Sequence, residues 1–528
     1  MQTKGRFNLS ENNYYFIVVI VLALFAYFPH LGKPPIYIYD GAKNAQCARE
    51  MYERNNFIVP VFNNELRTDK PPLHLFFMML GYKLFGVTPF SARFFSALFG
   101  VLTIASIYLF AKRFIGIRAA FLTALVLLAS MNFTLEFHWS VPDPYLIFFL
   151  TSALFSVLTY LQTNEKTFLW LFYVCLGVGT IAKGPVAIAL PGLIVIIYLI
   201  TQKRLTLKTL FVQLQPFLGL FIVTTIALPW YWLVHRATNG AWTYGFFMEH
   251  NLQRFSTKKE GHGGSYLLTL AYILIGLLPF SIFIFQSARF AVKNFKEPVI
   301  SFSVITALVF IVFFSLSKTQ LPNYPMPAFA FIALLIGSWL NQITVQSVAS
   351  IKVSLWIYLL LMLALPGALK IVISNEPSIH NLSYLSYWFV LLPTSAAIAL
   401  RFAYKNKLSH VISTIAASFI IMNFLLMGWI YPKVYSENPV EKSYRFIDPN
   451  RPIASLGKYN PAYNFALNKV ITICSDTAAL KKFLAQNPGA AIISRKTRQK
   501  ELETMGYRKI AEGKDIFEPS VSAVFIKK

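Results

Sequence analysis

Apolar stretches approaching the ~20 residues needed to cross a bilayer core recur along this 528-residue chain, and they govern every later reading. They fall near 14–31, 90–111, 118–134, 144–161, 168–183, 185–200, 210–232, 265–285, 298–316, 324–340, 353–373, 384–402 and 410–430. Charged residues make up only 13% of the chain, against about 25% in soluble domains. The expectation is an α-helical polytopic membrane protein with about thirteen transmembrane helices.

Such a chain gives its net charge of +26 a meaning other than nucleic-acid binding. With the N-terminus inside, the inner connections include "AKRFIGIR", "QTNEKT", "TQKRLTLK", "QSARFAVKNFKE" and "RFAYKNKLSH". Nearly all are basic, as the positive-inside bias requires, and an odd span count places the C-terminus outside. Lys4 and Arg6 precede the first apolar run without a small-residue cleavage pattern after it, which reads as a retained span. Three cysteines are too few and scattered for a disulfide framework or a metal cluster.

Two outer loops are long, 32–89 and 233–264. The first contains a helix pattern, "GAKNAQCAREMYER", and a short apolar stretch at 73–85 that suits the membrane interface. After residue 433 short β-branched runs alternate with helical patterns, the signature of a small α/β domain over 434–528. The chain thus divides into a transmembrane unit, 1–433, and an outer domain, 434–528.

Ionisable residues at a membrane edge are functional candidates because burying them unpaired is costly. Asp40 and Asp143 each stand at the mouth of a helix on the outer side. Each competes with a simple helix-capping role, but together they suit orienting a substrate or ordering a lysine. In "RTDKPPLH", Pro71 and Pro72 fix the backbone after Asp69 and Lys70, holding an acid and a base before the interfacial helix. Lys70 is placed to meet a lipid phosphate, and Asp69 to bind a metal or position the loop. Arg254 offers the planar fork that suits phosphate oxygens. His250, one helical turn before it, is a candidate ligand for a divalent ion, against a structural, hydrogen-bonded histidine. For Lys43, Arg49 and Lys318, snorkelling to water is the favoured reading.

"YDGAKNAQCAREM", "RTDKPPLH", "ARFFSALFG", "PDPYL", "AKGPVAIALPG", "LPWYWLV", "FFMEHNLQRF" and "SLSKTQLPNYPMP" occur here in that order. In this combination the chain resembles the polyprenyl-phosphate-sugar-dependent glycosyltransferases that include the lipid A aminoarabinose transferases and the protein O-mannosyltransferases. The resemblance implies the GT-C membrane fold. It also implies catalytic roles for Asp40 and Asp143, donor-phosphate contacts by Lys70, Arg254 and Tyr324, and a divalent metal (Zn or Mg/Mn) near Asp69 and His250. Asp69 replaces the family's usual glutamate. Gly41 stands where most relatives carry an acid beside the catalytic aspartate, which favours an acceptor that needs no base, such as a lipid phosphate.

The reading is an inner-membrane enzyme with its active site on the periplasmic face. It moves an aminoarabinose-like sugar or a hexose, with inversion, from a polyprenyl phosphate, undecaprenyl by the resemblance, to lipid A or another envelope glycolipid. A protein acceptor is the alternative, and nucleic acid is not a partner. Lys183, in the tight outer turn "AKGP", belongs near the phosphate, with snorkelling as the competing role. A transporter or flippase of lipid-linked saccharide is the alternative from another class. It calls for polar lining deep in the spans, whereas the titratable residues gather at one face. A structural subunit presenting 434–528 leaves the acid and base loops unexplained.

Overall fold

The computed structural model describes residues 11–252, 265–343 and 349–527. Its first half runs through α1 (Glu11–Tyr27), α2 (Tyr39–Glu53), α3 (Leu73–Phe85), α4 (Pro89–Ile115), α5 (Ile117–Ala129), α6 (Met131–Phe137), α7 (Asp143–Thr163), α8 (Lys166–Lys183), α9 (Val186–Thr201) and α10 (Pro216–Ala237). The two helices expected within the first outer loop are α2 and α3. Among the described residues eight helices are long and apolar enough to cross a membrane, or ten if two bent pairs each count as one span. The expected windows 14–31, 185–200 and 324–340 fall on shorter apolar helices, Asn13–Tyr27, Val186–Thr201 and Met326–Gln342. The chain is therefore a multi-pass helical membrane protein with eight to ten spans among the described residues, by length and composition.

One bent pair matters for the site. The window 118–134 reads as a single span, yet α5 and α6 meet at 72°. Ser130 caps α6, accepting from the Phe133 amide, and its hydroxyl donates to the Gly276 carbonyl of a neighbouring helix. That satisfies backbone groups a broken helix would leave exposed. The short α6 then delivers residues 136–142 to the foot of α2, where Asn44 Nδ2 donates to the Ser140 carbonyl at 2.8 Å.

Buried Arg93 on α4 fixes the chain entering α2. Its guanidinium donates to the carbonyls of Leu31, Pro34 and Pro35, at 2.8, 2.6 and 3.0 Å. From α3, Tyr82 donates to the Ala45 carbonyl at 2.9 Å. The start of α2 is thus set by polar bonds from two apolar helices.

The C-terminal region folds as a five-stranded mixed sheet in the order β4-β3-β5-β7-β6, where β1 (Val61–Phe62) and β2 (Glu65–Leu66) are a small hairpin in the first outer loop. The sheet strands are β3 (Ile453–Leu456), β4 (Thr472–Cys474), β5 (Ala491–Arg495), β6 (Tyr507–Lys514) and β7 (Val521–Lys527). β3 is parallel to β4 and β5, while β7 is antiparallel to β5 and β6. This region sits against the long loop of residues 32–89. The Asn63 side chain exchanges hydrogen bonds with the Ile471 backbone at 2.8 and 2.9 Å, and Tyr37 donates to Asp515 at 3.1 Å.

Candidate active site

Asp40 lies in the first turn of α2 and accepts from Lys70 Nζ at 2.7 Å. The Asp40 side chain is 52% exposed and that of Lys70 14%. The Lys70 ammonium holds the Asp40 carboxyl below the usual carboxylate range, despite partial desolvation.

Asp69 and Lys70 do not pair with each other. Asp69 takes both its short bonds from Arg67, at 2.6 Å from Nε and 3.0 Å from an Nη. The same guanidinium donates to Asn44 Oδ1 at 2.7 Å, and the Arg67 carbonyl accepts from Trp242 Nε1 at 2.9 Å. Burial alone would raise the Asp69 carboxyl. The charge and hydrogen bonds of Arg67, with lesser help from Lys70 and His250, outweigh burial and hold it far below the usual range.

A second lysine–carboxylate pair stands across the cavity. Asp143 opens α7, Lys183 closes α8, and the two form a salt bridge. The Lys183 ammonium also lies 5.1 Å from the centre of the Tyr324 ring, a cation–π distance. Gly184, with φ of 82°, turns the chain directly into α9.

Asp69, Lys70, Asp143, Lys183, His250 and Tyr324 all line one cavity of about 320 Å³. The rest of its wall is mainly apolar, with Leu146, Ile147, Leu150, Leu190, Phe310 and Phe313 among it. Asp40 joins it through Lys70. Arg254 lies outside the described residues. Gly41 is turned away: a side chain there would meet Ser140 Oγ at 3.0 Å, in a separate small pocket with Arg93 and Trp139. The missing acid at position 41 therefore opens no space at the Lys70 side.

Asp69 and His250 are the two candidate metal donors on the cavity wall. Among the described residues no group of three or more His, Cys, Asp or Glu side chains converges, and Asp69 already serves Arg67. These residues do not make a metal centre by themselves.

Sequence reasoning passed over Arg67 and Glu136. Arg67 had a signal, standing two residues before Asp69 in the same motif. Glu136 is a single acid in the apolar run "FTLEFHW", fully buried on α6 and sensing Asp143, Lys183 and Lys70.

The class follows from the whole arrangement. ArnT from Cupriavidus metallidurans bound to undecaprenyl phosphate superposes with a TM-score of 0.81, covering 97% of this chain and 98% of that one at 21% identity. The chain shares the fold of that protein. Residues 69–232 match the family described as dolichyl-phosphate-mannose-protein mannosyltransferase. The undecaprenyl phosphate-alpha-4-amino-4-deoxy-L-arabinose arabinosyl transferase of Shewanella sediminis is 28% identical over 340 residues, 63% of this chain and 60% of that protein. An uncharacterized protein of Aquifex aeolicus is 28% identical over 478 residues, 86% of this chain and 87% of its own length. The chain is thus similar to the mannosyltransferase family over residues 69–232 and to the aminoarabinose transferases over a longer stretch, on a fold shared with ArnT.

Proposed function

We propose that this chain transfers a sugar, aminoarabinose-like or a hexose, from a polyprenyl phosphate to a periplasmic acceptor, with inversion at the anomeric carbon. The observation that carries the reading is the pair of lysines, Lys70 and Lys183, on the wall of one largely apolar cavity, each held by a carboxylate. An apolar wall suits the first isoprene units of the donor, and two ammonium groups suit its phosphate. They would stabilise negative charge growing on the leaving phosphate, usually the largest catalytic contribution. Tyr324 fixes the Lys183 ammonium, and the planar fork of Arg254, which lies outside the described residues, makes it a further candidate for the phosphate.

The acceptor attacks the anomeric carbon from the face opposite the leaving phosphate. As the phosphate draws Lys70, Asp40 loses the cation that suppresses its proton affinity and becomes a better base. Its carboxylate then takes the proton of a hydroxyl acceptor. Asp143 orients Lys183. A divalent ion at Asp69 and His250 would need further ligands from the substrate or from outside the described residues, and no step here depends on it.

The favoured acceptor is lipid A or another envelope glycolipid. A protein hydroxyl is the second reading, supported by Asp40, a half-exposed carboxylate suited to general-base work. Thirteen spans, with the three shorter apolar helices crossing, put the N-terminus in the cytoplasm. The site and the 434–528 domain then face the periplasm of a bacterial inner membrane. Mass spectrometry of envelope lipids and exported glycoproteins, from cells with and without the chain, tests both acceptors. A sugar modification lost from either class supports transfer, and unchanged lipids and glycoproteins refute it.

A further inference from the structure

Glu136 is the buried group that the reaction above leaves unused. Its side chain is fully enclosed, and neither carboxyl oxygen has a hydrogen-bond partner among the described residues. It sits on α6, the short helix beyond the 72° break. Asp143 acts on it most strongly among its charged neighbours, then Lys183 and Lys70, while the Asn323 amide of the cavity wall faces it. An ionised carboxylate enclosed without a partner is heavily disfavoured, so the group keeps its proton.

We infer that Glu136 is a positioning residue that stabilises Asp143 by hydrogen bonding when the donor phosphate takes Lys183. The inference rests on the reading of Lys70 and Lys183 as phosphate-binding groups. In the resting structure Asp143, itself buried, is satisfied by Lys183. A phosphate in the cavity competes for that ammonium, and a carboxylate stripped of its cation inside the protein opposes donor binding. The unused Glu136 hydroxyl removes this opposition by donating to Asp143. No proton leaves either group. The break in the α5–α6 span has a function on this account, since it brings a protonated acid behind the α7 mouth without exposing it to lipid.

Binding of undecaprenyl phosphate to the full-length protein in nanodiscs tests the inference, with thermal unfolding as the control for folding. Glu136→Ala should weaken binding on the order of 100-fold, the scale of an uncompensated buried charge. Glu136→Gln, whose amide also donates, should bind within about threefold of the native chain. Adding Asp143→Asn to Glu136→Ala should restore much of the loss, because the neutral amide needs no compensation. Native-like binding by folded Glu136→Ala overturns the inference. So does Glu136→Gln binding as weakly as Glu136→Ala, or no rescue by Asp143→Asn. Native-like binding by Lys70→Ala and Lys183→Ala would remove the phosphate reading itself, and this inference with it.

Discussion

Lys70 and Asp40 make the sharpest claims at the level of single residues. Alanine at Lys70 should abolish sugar transfer in a purified assay while the protein stays folded in detergent. Arginine there should also transfer poorly, because a planar fork does not replace a compact ammonium. The Asp40 carboxyl is lowered by Lys70 in the folded protein. The stability it contributes is therefore complete above the value near 4 of an unfolded aspartate, and it fades as pH falls through the lower folded value. Replacing Lys70 by Met removes that lowering, so thermal unfolding of the variant should show a smaller loss of stability than the native chain as pH falls below about 4. Arg67→Ala should cost about 3 kcal/mol or more, read by the same unfolding, because it strands Asp69 in the wall. Asp40, Asp69, Lys70, Asp143, Lys183 and His250 were legible as candidates, since charge and proline at an apolar edge are visible in sequence, while Tyr324 came only from the family resemblance. Their pairing was not. Lys70 meets Asp40 across 30 residues and Lys183 meets Asp143 across 40, while the adjacent Asp69 turns back to Arg67. Spacing along a loop does not define which partner a side chain finds.

Helices place these side chains, and their ends are where substitution should tell most. Gly184 holds φ at 82°, and a methyl group there would stand 2.7 Å from the Phe246 ring. Gly184→Ala should lower stability by about 1–2 kcal/mol from backbone strain alone. It should also cut transfer, because Lys183 precedes the turn and Phe246 lies in the segment that carries His250. A variant with native activity and unfolding temperature would show that the turn tolerates the side chain. The outer hairpin itself was readable from "AKGP". The break between α5 and α6 was not, because an uninterrupted apolar run reads as one span. It depends on Ser130 finding the Gly276 carbonyl of a distant helix.

Across the whole molecule, membrane class and a C-terminal region of mixed strands and helices followed from hydropathy and the alternation after residue 433, for physical reasons that operate locally. The strand order did not, since β7 enters between β5 and β6 only once the sheet assembles. Alkaline phosphatase fused after Lys528 should be active and a fusion near Lys203 inactive, and the reverse pattern would invert the proposed orientation. Buried Asp515 receives Tyr37 from the first outer loop and pairs with Arg495 of the sheet. Asp515→Ala should therefore loosen the 434–528 region, seen as faster proteolysis there, at a cost of about 3 kcal/mol. The link between Asn63 and Ile471 joins positions 408 residues apart. At the ~5–20 residues per second of protein synthesis, the loop carrying Lys70 waits roughly 20–80 s for the strand that braces it. Through most of that interval the newly made chain already holds both lysines of the site but not the scaffold that steadies the Lys70 loop, so maturation of the enzyme is timed by its last hundred or so residues.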